Sequence, residues 1–242
     1  MGMEIADKIS DWIRERVEEA GAKGVVVGLS GGVDSSTAAV LAKRALGDGV
    51  LGLIIPCHSD PTDIEHARLV AAKFGIETEY VDLTPVFDRL LDALPQGSRL
   101  ARGNLKPRLR MATLYYFANN LHYLVMGTGN KSEIKVGYTT KYGDSGVDLL
   151  PLGDLLKTQV RELARELGIP EEIIAKPPSA GLWEGQTDEG EMGITYEELD
   201  RVLLAIESGD TSKCNPEALE LVRGMIAASE HKRKPIPICK IS

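Results

Sequence analysis

The sequence predicts an α/β protein built on a doubly wound, mostly parallel sheet with helices on both faces. Three observations carry that expectation. Short β-branched runs alternate with longer amphipathic segments, the pattern of parallel strands joined by crossover helices. The run Val25-Val26-Val27 stops at glycines and continues into Ser35-Ser36-Thr37-Ala38-Ala39-Val40-Leu41, which reads as strand, tight loop, helix. A later run, Tyr123-Leu-Val-Met126, also ends in a glycine-bearing loop, Gly127-Thr128-Gly129-Asn130. In sheets of this type the ligand lies beyond the carboxyl ends of the strands, so the two loops are expected to share a site.

In chain order, residues 5–20 form an amphipathic helix, with Ile5, Ile9, Ile13 and Val17 at a spacing of four and charges between them. Residues 24–29 are the first strand, followed by the loop and its helix. Residues 50–55 make a second strand ended by Pro56, and 63–74 a helix stopped by Gly75. A third strand at 77–81 precedes a helix opened by Thr84-Pro85 and running to about residue 94. Residues 106–121 contain another helix, 123–126 a fourth strand and 147–150 a short fifth. The stretch 176–193 is rich in proline, glycine and acid without apolar periodicity. It reads as a long loop and is expected to act as a mobile lid. Helices resume at Thr195-Tyr-Glu-Glu198, where threonine and glutamate stand at capping-box spacing.

A chain of 242 residues that is 43% hydrophobic is long enough for one large domain, expected to span 1–242. Its 28 basic and 36 acidic residues leave a net charge of −8, which argues against nucleic-acid or membrane partners. Cys57, Cys214 and Cys239 are few and widely spaced, suggesting neither a disulfide framework nor a zinc site. With no signal peptide and no apolar stretch long enough to span a bilayer, the cytoplasm is the expected compartment.

The sharpest chemical signal is Gly28-Leu-Ser-Gly-Gly-Val-Asp34-Ser35-Ser36. A helix N-terminus carries unpaired N–H donors, and glycines let an anion approach the backbone, so the loop is a phosphate-site candidate. It is neither a Walker A loop nor a dinucleotide fingerprint, because the spacings differ and no lysine follows the glycines. Its charged residue is Asp34. An acid beside a phosphate requires a cation between them, and Mg²⁺ is the natural one. Ser30-Gly-Gly-Val-Asp34-Ser35 resembles the pyrophosphate loop of the N-type ATP pyrophosphatases, whose adenine nucleotide α-hydrolase-like fold agrees with the strand pattern.

Two further clusters narrow the reading. Residues 99–110 carry Arg99, Arg102, Lys106, Arg108 and Arg110 with no acid, a concentrated anion site in an acidic protein. Gly127-Thr-Gly-Asn-Lys-Ser-Glu133 and Lys141-Tyr-Gly-Asp144-Ser-Gly-Val-Asp148 place carboxylates and lysines on loops after strands. Together with Pro56-Cys-His-Ser-Asp60, Asn104-Leu-Lys-Pro-Arg108, Lys176-Pro-Pro-Ser179, Gln186-Thr-Asp-Glu189 and Glu230-His-Lys-Arg233, these runs resemble, in order and over nearly the whole chain, the ammonia-dependent NAD synthetases.

That resemblance implies a homodimer that binds ATP and deamido-NAD⁺, adenylates the nicotinate carboxylate and lets ammonia displace AMP, with Mg²⁺ as cofactor and ATP as co-substrate. By position it implies that Gly28, Leu29, Ser30, Gly31, Gly32, Val33, Asp34 and Ser35 cradle ATP, with Thr128, Lys157 and Ser179 as further contacts. Ser179 stands where many members carry threonine. Asp34 and Glu133 are implied metal ligands, and Arg108, Lys141, Asp148, His231 and Lys232 implied contacts of deamido-NAD⁺. Lys157 and Asp144 are the implied catalytic residues, Asp144 as acceptor of the proton that ammonium must lose before it attacks. Rival readings are a GMP synthetase-like or tRNA-modifying pyrophosphatase, and a nucleotide-binding module without turnover. The second leaves Asp34, Glu133 and the basic run unexplained. Cys57 as a glutaminase nucleophile competes with a plain packed cysteine, and for Trp183 stacking on a base or nicotinate ring competes with an apolar lid contact.

Overall fold

The computed structural model describes residues 2–241. In chain order the elements are α1 (Gly2–Glu19), β1 (Val25–Gly28), α2 (Val33–Leu46), β2 (Val50–Ile54), α3 (Pro61–Phe74), β3 (Glu77–Tyr80), α4 (Thr84–Ala93), α5 (Arg99–Gly103), α6 (Leu105–Leu121) and β4 (Leu124–Met126). Then come α7 (Lys131–Val136), α8 (Lys157–Glu166), α9 (Glu171–Ile174), α10 (Asp188–Met192), α11 (Tyr196–Ser208), α12 (Pro216–Ala228) and α13 (Glu230–Arg233). The strands form one parallel sheet in the order β3-β2-β1-β4.

The period-2 alternation of a strand decides which helices cover which face. Val25 and Val27 pack into a core with Ala6 and Ile13 of α1 and Leu41 of α2, whereas Val26 between them packs with Phe87 of α4 and Ala118 of α6. The two faces therefore carry separate apolar layers, and each fully buried valine or leucine contributes about 1.5–3 kcal/mol. A third cluster joins Val136 of α7 to Tyr196, Leu199 and Val202 of α11 and Val222 of α12. It attaches a helical layer to the segment that follows β4.

Three expectations are corrected. Residues 147–150 do not form a fifth strand; a single parallel bridge joins Met126 to Leu149. Asp148 is the reason, since its carboxylate accepts the Val125 amide at 2.8 Å, a hydrogen bond that a neighbouring strand would otherwise make from its backbone. The stretch 176–193 is not wholly loop, because Thr187 caps the short helix α10 by accepting from Gly190 N. Thr195 caps α11 as its spacing predicts, but Glu198 turns outward to Arg201 instead of completing a capping box.

Candidate active site

Beyond the carboxyl ends of β1, β2 and β4 lies a cavity of about 460 Å³. The loop after β1 forms its floor. Gly31 has φ +78°, and a Cβ there would stand 2.2 Å from the Asp63 carbonyl oxygen, so only glycine permits this approach to α3. Gly32 precedes α2 with no side chain capping it, which leaves the first-turn amides of α2 for a ligand. Ser35 Oγ donates to the Gly32 carbonyl at 3.0 Å and accepts from Ser30 N at 3.2 Å, holding the loop's shape. Gly28, Leu29, Ser30, Gly32, Val33, Asp34 and Ser35 line the cavity, as do Thr128 and Ser179 from the opposite side. Gly31 shapes the turn from outside the lining.

Asp34, Glu133 and Lys157 come together although 123 residues separate the first from the last. The Lys157 ammonium is almost wholly buried, 3% exposed, ion-paired with Asp34 and 3.5 Å from Glu133 Oε1. The cation at the centre of the two implied metal ligands is thus a lysine. Asn130 holds the group in register. Its Nδ2 donates to Asp34 Oδ1 at 2.9 Å, and with Glu133 it forms a capping box that starts α7. Two carboxylates raise the Lys157 pKa against the opposing effect of burial. Burial pushes Glu133 up to about 8, more than the nearby ammonium lowers it.

Asp144 lines the same cavity, with Oδ1 accepting from Thr140 N at 2.8 Å. Desolvation raises its carboxyl, opposed by that hydrogen bond and by the Lys232 ammonium. Lys232 also reaches the cavity and donates to the Gly137 and Thr139 carbonyls at 2.7 Å each. The other implied dinucleotide residues stand outside the lining. Arg108 donates to the Lys141 carbonyl at 3.3 Å and Lys141 to the His231 carbonyl at 2.8 Å, forming one connected rim. Asp148 is apart from that rim, bound to Tyr115 and the β4 backbone.

Sequence reasoning assigned no role to two residues at the centre, Asp188 and Tyr196. Asp188 is buried and lines the cavity, and its Oδ1 has no hydrogen-bond partner among the described residues. The run Gln186-Thr-Asp-Glu189 was the available signal for it. Tyr196 gave none, since it reads as the opening of a helix. Trp183 packs within the chain: the Arg99 guanidinium lies 4.6 Å from its ring centroid, and its ring packs on Gly103.

Among the described residues, no three histidine, cysteine, aspartate or glutamate side chains are arranged to hold a metal ion. The donor chemistry nevertheless fits a hard cation. The carboxylates of Asp34, Glu133 and Asp188 outnumber the one ammonium, and Asp188 keeps an orphaned buried oxygen.

A parallel sheet whose first strand feeds a glycine-rich anion loop, with a carboxylate–lysine cluster at its carboxyl end, defines a nucleotide-binding domain of the adenine nucleotide α-hydrolase type. Comparison with known proteins narrows that class. The NAD synthase family model matches residues 5–236. An NH(3)-dependent NAD(+) synthetase of Syntrophomonas wolfei is 50% identical over 98% of this chain and 96% of its own. The solved NMN synthetase of Francisella tularensis superposes with a TM-score of 0.91 at 36% identity, covering 100% of this chain and 99% of that one. The NH3-dependent NAD synthetase of Campylobacter jejuni gives 0.88 at 30%, covering 99% and 100%. The chain belongs to the NAD synthase family, and so to the amidating ligases built on this fold.

Proposed function

We propose that this chain joins ammonia to the nicotinate carboxylate of deamido-NAD⁺: the carboxylate attacks the α-phosphate of ATP, releasing pyrophosphate, and ammonia then displaces AMP from the adenylated intermediate. The observation that carries this reading is the buried Lys157 ammonium beside Asp34 of the phosphate loop. A carboxylate is a poor electrophile, and its attack on the α-phosphate builds negative charge on phosphate oxygens. The free amides at the start of α2 and the Lys157 ammonium are charges and dipoles already in place for it. Asp34 and Glu133 would hold Mg²⁺, which supplies further stabilisation of phosphate charge when bound. Asp144, its carboxyl raised within the same cavity, suits a proton acceptor for ammonium.

Arg108, Lys141, His231 and Lys232 are the proposed contacts of the dinucleotide, and Asp148 a proposed contact from its separate position. Arg108 and His231 are exposed, which fits a second subunit closing over the substrate in a homodimer. The single domain of 1–242 closes its site with 176–193, whose residues Lys176 to Leu182 line the cavity. No described helix is long and apolar enough to cross a membrane, and the three cysteines are unpaired, which suits the reducing cytoplasm. The test is product analysis with ATP, Mg²⁺, ammonium and deamido-NAD⁺, and with nicotinate mononucleotide in a parallel reaction. NAD⁺, AMP and pyrophosphate are expected in equal amounts. Formation of ADP and phosphate, or amidation of the mononucleotide alone, overturns the reading.

A further inference from the structure

Tyr196 is fully buried in the first turn of α11, where Val136, Leu199 and Val202 would accept a phenylalanine equally well. Its hydroxyl instead lies 3.0 Å from Asp188 Oδ2 and 3.3 Å from Glu133 Oε1. A phenol has one proton to donate, and burying a hydroxyl costs free energy unless it is hydrogen-bonded. The Tyr196 amide donates to Glu189 Oε1 at 3.0 Å, a second link to the segment 176–193. The Lys157 ammonium stands 5.0 Å from the centre of the ring, on the face where a cation is attracted. Residues at 133, 157 and 188 thus meet on one side chain.

We propose that Tyr196 is a positioning residue of this site, its hydroxyl tying the segment 176–193 to Glu133 and its ring seating the Lys157 ammonium. Closure of the segment is thereby linked to the placing of the two groups that face phosphate charge, an inference that rests on the proposed function for its effect on turnover. Asp200, one helical turn further on, provides an internal comparison. It accepts from Ser132 Oγ and from Thr158 N at 2.9 Å, bracing the starts of α7 and α8 without touching 176–193.

The test uses Tyr196→Phe, which keeps the ring and removes the hydroxyl, beside Asp188→Asn and Asp200→Asn. In nucleotide-free protein, proteolytic cutting within 181–193 should accelerate several-fold in Tyr196→Phe and Asp188→Asn but not in Asp200→Asn. With substrates present, kcat of Tyr196→Phe should fall about tenfold, the scale of one lost hydrogen bond to a charged group, while KM for deamido-NAD⁺ stays within about twofold. Unchanged cutting in both tie variants overturns the proposal, as does equal acceleration in Asp200→Asn, which would reduce Tyr196 to packing. Failure of the wild type to make NAD⁺ would count against the proposed reaction, whereas the cutting rates judge the tie without any substrate.

Discussion

Glu133 shares one ammonium with Asp34 and one hydroxyl with Asp188, and burial holds its pKa up near 8. Between its ordinary value of 4.5 and that figure the folded protein keeps a proton that the unfolded chain has released. The unfolded state then binds fewer protons, so stability falls as pH rises through this window. In cation-free protein the melting temperature should drop by on the order of several degrees from pH 5 to pH 8, and Glu133→Gln should flatten that slope while turnover is lost. A slope unchanged in Glu133→Gln would assign the titration elsewhere. Arg108 offers the opposite case, an exposed side chain with a single contact to the Lys141 carbonyl. Arg108→Ala should raise KM for deamido-NAD⁺ roughly three- to tenfold and that for ATP little, because the proposed ionic contact to the dinucleotide is lost along with one exposed rim hydrogen bond; equal increases in both constants speak against this placement. Asp34 was legible in the sequence as an acid beside a phosphate-site loop, whereas Glu133 as a metal ligand and Lys157 were reached only through the family resemblance. Tyr196 was not legible, because an aromatic residue at the start of a helix looks like core and its hydroxyl acquires meaning only from Glu133 and Asp188 on other elements.

At the scale of elements, the segment 176–193 is held at several points. Lys176 pairs with Asp63 of α3, Trp183 packs on Gly103 of α5, and Glu191 Oε2 accepts from the Tyr138 hydroxyl at 2.9 Å. Gly181, Gly185 and Gly193 all take positive φ, so its bends rest on residues that adopt such backbone without strain. Met192 is the one buried apolar side chain it contributes, and on that ground the proposed lid is expected to open more readily than the core. Limited proteolysis should cut 181–193 quickly in free protein and slowly with ATP, Mg²⁺ and deamido-NAD⁺ together; equal rates would make the segment an ordinary surface loop. Glycine and proline signals revealed this segment in the sequence, but not α10, a helix of five residues too short for a periodic pattern. For the same reason α5 was hidden inside the basic run. The expected strand at 147–150 failed differently: its apolar residues looked like a strand, but Asp148 spends its carboxylate on the edge of β4.

Over the whole molecule, the charge of −8 surrounds a site built to hold anions, so ligand binding relies on the local groups of the loop, Lys157 and the rim. Nitrogen supply is a property at this scale. Cys57 is fully buried, and burial pushes its thiol up, the reverse of an activated nucleophile. Ammonium should therefore support amide formation, and carefully ammonia-free glutamine should give little; equal rates with the two donors would contradict this. The sequence by itself determined the strand–loop–helix order, the parallel sheet and the anion loop, because strand periodicity, helix stops and glycine turns are local and depend on neighbours within a few residues. Only the tertiary structure decided that a lysine lies between the two implied metal ligands, that Tyr196 meets Glu133, Lys157 and Asp188 on one side chain, and that Asp148 faces the sheet edge instead of the rim. Those outcomes depend on which charged and polar groups find partners once the elements pack, and for a buried group such as Lys157 the cost of staying unpaired overrides local preference.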